Sequence, residues 1–422
     1  MLEKPLPIPA LTDQLDSLLA VLDVVREDRA RTRPGIAEIL GLGRNLVSQR
    51  VGWLLEAQLL VDGQLGRSNG GRAPREVRFN AEAGCILVAE LDATYITVAV
   101  ANLQGQLSAF QREAISIADG PKAVLGRVTE LFDTFVAERP NLPVWGVGIG
   151  LPGPVEFASG RPVAPPIMPG WDGYDVREHF ASSYNAPVWV DNDVNVMAMG
   201  ELRKGRGPWD QDVIYIKVGA GIGAGLISQG RLHRGAQGCA GDIGHIPADD
   251  ASSVPCRCGK TGCLEALAGG TALIRDATAI AHAGGSERLA RILDSGRAIV
   301  LADVISAARH GDHECTQLIL RSAQLVGETT SRLVNVFNPS LILIGGDVSA
   351  AGDQFLAEVR QVVFRRAPPL ATRSLKIDAA PDGDQAGLRG CAFMVIDSLL
   401  SKQVAQHWMN DGSPSGRADL VA

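Results

Sequence analysis

His245 is followed by Cys256, Cys258 and Cys263 in the run CRCGKTGC, one imidazole and three thiols within nineteen positions. Four soft donors close a tetrahedral zinc shell and leave no position for water, so this spacing predicts structural rather than catalytic zinc. Gly259 and Gly262 would let the chain turn tightly around the ion. A second group, Asp191-Asn192-Asp193, ends the apolar run APVWV, with Glu201 ten residues past Asp191 on an expected helix. Acids and amides at the carboxyl edge of a strand face the crevice where α/β folds bind ligands. Asp193 could accept a hydrogen bond from a sugar hydroxyl, or take its proton as general base during phosphoryl transfer. Asp191 or Asn192 could equally cap the next helix. The glycines of Gly219–Gly225 could bring backbone N–H groups to phosphates or serve a tight hairpin, and the sequence does not choose between these.

Another set of residues suits nucleic acid. Arg44, Asn45, Ser48 and Gln49 share one face of a predicted helix whose other face carries Val47, Val51, Leu54 and Leu55. Such side chains reach base edges: arginine for guanine, asparagine or glutamine for adenine, serine for either or for phosphate. Arg50, and Arg67 and Arg72 in a Gly- and Arg-rich loop between two short extended pieces, complete the expected DNA contacts. The loop reads as the wing of a winged helix, to lie along phosphates or a minor groove. Between Arg29 and Asn80 there are nine arginines and no lysine against four acids, a net +5 on a chain of −7. A basic piece on an acidic body suggests a polyanion-binding module joined to something else. The alternative is a solvated helix face on a module that binds protein.

The elements that must hold these residues follow from periodicity. Leu11, Leu15, Leu18, Leu19, Leu22 and Val25 predict an amphipathic helix over about 12–28 with Thr12 or Asp13 as N-cap. Pro34 and Gly35 are expected to break the chain; a short helix, the turn Gly41-Leu42-Gly43 and the Arg44 helix come next. From Ala83 onward, strand-length apolar runs alternate with helices: CILVAELDA, ITVAVANLQG, VWGVGIGLPG, APVWVDND, VIYIKVGAGIGAGLI and LILIGGDV. That alternation predicts α/β architecture in two similar lobes with a cleft between them. The expected organisation is a winged helix-turn-helix over 1–80, a two-lobed domain over 81–402 and a flexible tail over 403–422.

With 422 residues, 46% of them hydrophobic and 21% charged, the chain is an ordinary globular protein, which excludes disordered and disulfide-stapled classes. The lack of a long apolar run or a basic-then-apolar N-terminus predicts no membrane span and a cytoplasmic location. Seven cysteines, three of them clustered, suit a reducing compartment.

Taken in order, GIGLPGPVEFASG, VDNDVNVMAMGE, VGAGIGAGLI, GDIGHI, CRCGKTGCLEALAG and NPSLILIGGDV resemble the ROK family of repressors, open reading frames and sugar kinases, over nearly all of 12–400. The resemblance implies an actin-like, two-lobed sugar kinase (ribonuclease H-like) fold. It makes His245, Cys256, Cys258 and Cys263 the zinc ligands. It makes Asn192, Asp193, Asp242, His245 and Glu265 the sugar-contacting set, with Asp193 at the kinases' base position and Asp242 where the family usually has glutamate. Both phosphate loops depart from the kinase pattern. The first reads Glu90-Leu91-Asp92-Ala93-Thr94, with Asp92 and Ala93 where the kinases have glycines, and Ala220 replaces a threonine in the second. An acid and a methyl there oppose a polyphosphate, so ATP binding is expected to be weak or absent. The expectation is a sugar-responsive regulator, a homodimer or homotetramer on double-stranded operator DNA, sensing a sugar or sugar phosphate. The competing expectation is an active sugar kinase that also binds DNA.

Overall fold

The computed structural model describes residues 11–65, 75–204 and 211–421. It opens with helices α1 (Leu11–Arg26), α2 (Arg33–Leu40) and α3 (Arg44–Glu56), then the antiparallel pair β1 (Leu60–Leu65) and β2 (Arg75–Phe79). Leu15, Leu18, Leu22 and Val25 are buried along α1 and share a core with Ile36, Val47, Val51 and Leu54. A bridge from Thr32 to Glu76 adds an extended segment beside β2. Two local expectations are corrected. Helix α1 is already under way at Leu11, ahead of Thr12 and Asp13. Pro34 and Gly35 do not break the chain: they form the first turn of α2, where proline lacks only an N–H that has no helical partner. The Thr32 side chain accepts the Gly35 N–H at 3.3 Å and caps that turn.

After a turn at 80–84 the first lobe forms around β3 (Cys85–Leu91), β4 (Tyr95–Asn102), β5 (Leu107–Ala114), β6 (Val144–Leu151), the small hairpin β7 (Val155–Glu156) and β8 (Arg161–Pro162), and β9 (Val188–Asn192). Its sheet runs β5-β4-β3-β6-β9, and α4 (Pro121–Glu138) and α5 (Val176–Tyr184) cover one face. Helix α6 (Asp193–Lys204) leads to the second lobe, whose sheet runs β12-β11-β10-β13-β14. Those strands are β10 (Val213–Val218), β11 (Ile222–Ser228), β12 (Arg231–Leu232), β13 (Leu341–Gly345) and β14 (Lys376–Ala379). Helices α7 (Leu264–Ala268), α8 (Gly270–His282), α9 (Glu287–Asp294), α10 (Leu301–Arg309), α11 (His313–Phe337), α12 (Asp353–Arg366) and α13 (Pro369–Thr372) belong to this lobe. Each sheet pairs antiparallel strands on one side with parallel strands on the other. The architecture is the two-lobed, actin-like sugar kinase fold with an N-terminal domain.

Between the sheets, α6 lies on the second and α14 (Ala386–Leu399) on the first. They cross closely because both carry glycine at the contact. A β-carbon on Gly200 would meet the Ala386 carbonyl oxygen at 1.8 Å, and one on Gly390 the Val196 carbonyl oxygen at 1.6 Å.

Residues 403–421 correct the expected flexible tail. Helix α15 (Lys402–Trp408) and the turns Met409–Asp411 and Ala418–Leu420 fold back beside α1. Trp408 is fully buried; its indole N–H donates to the Leu399 carbonyl at 2.9 Å and its ring meets Trp145 edge-on, centroids 5.3 Å apart. Lys402 Nζ pairs with Asp16 of α1 at 2.7 Å. A polar, glycine-containing stretch hides these few apolar anchors, and they suffice to pin it. The N-terminal domain, the inner face of the first lobe and this segment share one core. Among the described residues, no helix is long and apolar enough to cross a membrane.

Candidate functional site

The predicted metal ligands converge. Ile243–His245 form a 3-10 turn, the chain doubles back through bridges Pro247–Cys263 and Pro255–Thr261, and Gly259 and Gly262 take the left-handed backbone the reversal requires. His245 Nδ1 lies 3.4 Å from Cys256 Sγ, and Cys258 Sγ lies 3.7 Å from Cys263 Sγ. All four donor atoms fall within 4.8 Å of one another. Zinc–sulfur bonds of ~2.3 Å in a tetrahedron place sulfurs ~3.8 Å apart, so the donor set fits a metal of that size and preference. With Nδ1 on this side, Nε2 of the ring is left for the cleft, 3.9 Å from the exposed Asp242 carboxylate.

That cleft opens between the lobes and is lined by Asn192, Asp193, Asp242, His245 and Glu265, so the whole predicted sugar-contacting set meets in one place. Cys263 immediately precedes α7, and Glu265 in its first turn accepts the Ile222 N–H at 3.1 Å. Asn192 does two things. Its side-chain oxygen accepts the Val194 N–H at 2.9 Å at the head of α6, while its amide donates to the Gly153 carbonyl at 3.0 Å along the cleft wall. Asp191 is buried behind it, accepting from Asn195 at 2.9 Å and from Arg234 at 2.8 Å.

Gly219, Ala220 and Gly221 join β10 to β11 in a tight antiparallel turn, with the Gly219 N–H donating to the Gly221 carbonyl at 2.9 Å, and Gly223 and Gly225 lie in β11 itself. A β-carbon on Gly225 would meet that of Ala198 in α6 at 2.4 Å, so this glycine serves close helix packing. Glu201 lies away from the cleft, accepting the Asp382 N–H at 2.9 Å. Burial pushes its pKa up from 4.5 to about 7. A folded-state pKa above the unfolded value adds stability that is complete below about pH 4.5 and is lost as pH rises through about 7. Glu201→Gln should therefore flatten the decline in denaturant midpoint between these limits; an unchanged slope would count against this assignment.

Asp92 and Asp193 share a partner that sequence reasoning missed. Lys217 Nζ, on β10 of the second lobe, is 2.7 Å from Asp193 Oδ2 and 3.1 Å from Asp92 Oδ2, with all three residues buried. Asp193 Oδ1 accepts the Val194 N–H at 2.8 Å, so both carboxylate oxygens are engaged. Burial pushes the Asp193 carboxyl above its usual range, opposed by Lys217. Burial also works to lower Lys217, but Asp193, Asp92 and Glu90 hold it well above its ordinary value, and it stays charged. The signal was a lone lysine inside the apolar strand VIYIKV, since an unpaired buried ammonium is too costly to leave.

In the N-terminal domain Arg44, Asn45, Ser48 and Gln49 are exposed together on α3, as predicted. Arg50 is not available to DNA. It is 5% exposed, its Nε donates to Ser17 Oγ at 2.8 Å, and its guanidinium lies 4.6 Å from the Trp53 ring centre. One residue past Gln49, the helical turn carries it round to the inner face. Arg67 and Arg72 lie outside the described residues.

Strand-end amides and carboxylates facing a cleft between actin-like lobes define a protein with the sugar kinase fold. The chain belongs to the ROK family, whose sequence profile matches residues 87–398. A xylose repressor of Caldicellulosiruptor bescii is 32% identical over 395 residues, 93% of this chain and 98% of the relative. A glucokinase of Halalkalibacterium halodurans is 32% identical over 279 residues, 66% of this chain and 84% of the relative. A solved ROK family transcriptional regulator, described as a homolog of the E. coli MLC protein, superposes with a TM-score of 0.78 over 97% of this chain and 99% of its own. At 24% identity it shows the fold.

Proposed function

We propose that the protein is a sugar-responsive transcriptional repressor in which a kinase-like cleft senses a sugar or sugar phosphate without turning it over. The observation that carries this reading is the shared core. A helix exposing Arg44, Asn45, Ser48 and Gln49 belongs to a domain packed directly on the lobe that forms half of the cleft. Relatives of nearly equal length named as repressors support it. The coupling has a physical path. Helix α6 begins at Asp193 and carries Arg203 near its other end; Arg203 pairs with Asp397 of α14, which lies 3.7 Å from Arg26 of α1. A ligand that prefers one lobe arrangement can then bias the DNA-binding domain, typically by about 1–3 kcal/mol.

In this reading the metal is zinc, held by His245, Cys256, Cys258 and Cys263 to position Glu265 and the His245 ring. A twofold dimer or a tetramer would set recognition helices about 34–36 Å apart, or a multiple, over a palindromic site. The domain limits 1–80 and 81–402 describe the DNA-binding and sensing parts.

The experiment is selection of bound duplexes from a random library, followed by anisotropy titration with and without pentoses, hexoses, amino sugars and their phosphates. No sequence-specific binding, or binding indifferent to every sugar, would refute the proposal. Arg44→Ala and Gln49→Ala should each weaken the selected site by about 1–3 kcal/mol, roughly five- to 150-fold, with unchanged melting. Arg50→Met should act on stability instead. The second reading, a sugar kinase with a DNA-binding domain, is favoured by Asp193 at the base position and opposed by Asp92, Ala93, Ala220 and the engaged state of that base. Turnover with ATP at about 1–100 per second would establish it.

A further inference from the structure

The Lys217 ion pairs have a meaning beyond stability, because of where they stand. Asp92 is in the turn between β3 and β4, Asp193 opens α6 directly after β9, and Lys217 comes from β10 across the cleft. The ammonium therefore ties one lobe to the other at the cleft floor. It also stands between the first glycine-depleted loop and the carboxylate at the base position. A phosphoryl group transferred to a hydroxyl on Asp193 would have to occupy this space, bringing negative oxygens and the metal cations that escort them. Here the chain itself supplies the cation. Without it, Asp92 and Asp193 would face one another as desolvated like charges, with Glu90 behind them.

We propose that Lys217 is a built-in substitute for the metal–nucleotide, a specificity-determining residue that lets the lobes close on a sugar alone and keeps a phosphoryl donor out. This rests on the sugar-sensing reading of the same cleft. Asp193 then serves as a fixed hydrogen-bond acceptor for a sugar hydroxyl, its charge balanced in place. A nucleotide entering the cleft would have to displace an ammonium from two carboxylates while meeting Asp92, and a polyanion gains nothing there to offset that loss.

The test is calorimetry on the full chain with D-xylose and D-glucose, each with and without the magnesium complex of AMPPNP. Sugar affinity is expected to change less than twofold with the analogue, and the analogue alone is expected not to bind at millimolar concentration. Lys217→Met should weaken sugar binding at least tenfold. Asp92→Asn in the same chain should restore it to within about threefold, because it removes the like charge that faces Asp193 once the ammonium is gone; a mere packing role would not be rescued by removing a second charge. Unchanged sugar affinity in Lys217→Met, or a tenfold gain in sugar affinity with the analogue, would overturn the proposal. If the wild-type chain bound neither these sugars nor any other of the panel, the sensing reading would fail. The substitute role would still be judged on the analogue alone, with binding below millimolar concentration sinking it.

Discussion

Replacing Cys258 by serine should strip the protein of its metal and of its response to sugar together. A serine hydroxyl stays protonated near neutral pH and is a poor fourth ligand, so the remaining donors would hold zinc far more weakly. Structural zinc contributes about 10–16 kcal/mol of apparent binding energy in isolated finger peptides. The loss here should be smaller, because backbone bonds such as Cys256 N–H to the Lys260 carbonyl at 2.7 Å and Ala248 N–H to the Gly262 carbonyl at 2.9 Å also hold the loop. What remains is still at least about 2 kcal/mol, or some 4 °C of melting temperature or more by the scaling for large domains. The functional loss follows from position. Cys263 sets the start of α7 and thereby Glu265, and a metal held by Nδ1 of His245, as proposed, would leave Nε2 directed at the cleft. Metal analysis should fall from about one equivalent to a small fraction, and sugar should no longer change DNA affinity. A metal-free variant that kept the full wild-type response would break this link.

Trp408→Ala should separate the two halves of the protein. Deleting a fully buried tryptophan removes about 3–5 kcal/mol through lost contacts and the cavity left behind. The void would open where α1, α15 and the first sheet meet. Operator binding should fall at least tenfold as the seat of α1 loosens, while sugar affinity should stay within about threefold, since Trp408 is not among the residues lining the cleft. Trp408→Phe should keep most of the packing but leave the Leu399 carbonyl without its 2.9 Å donor, for an intermediate result. Equal losses of operator and sugar binding would show that the segment supports the whole fold rather than this junction.

Much of this was legible in the residues. Strands deep inside the two sheets announce themselves as continuous apolar runs, and every run singled out contains one. Strand β5 escaped because it is an edge strand with alternating burial, and its LSAFQREA is half polar. Strand β14, KIDA, is too short for a period to show. The candidate site was readable wherever ligands sit close in sequence, as in the cysteine loop and Asp191-Asn192-Asp193. What hid were pairings between distant segments. Asp92 read as a charge that repels phosphate, when its meaning depends on Lys217, 125 residues away. Arg50 read as one of a basic set, and only the packing of α3 against Ser17 and Trp53 turns it inward. The last segment was read from its glycines and serines, yet Trp408, Met409 and Leu420 decide its fate.

The seat of α1 also sets a schedule for biosynthesis. Lys402 meets Asp16 from 386 positions further along the chain, and the Trp408 wedge is translated later still. At about 5–20 residues per second, α1 emerges from the ribosome about 20–80 s before the partner that finishes its burial. A nascent chain halted anywhere short of Trp408 thus carries α3, with Arg44, Asn45, Ser48 and Gln49 exposed, on an unfinished mount. On the repressor reading proposed above, the capacity to silence genes arrives last, only when the apparatus that would relieve it has been made.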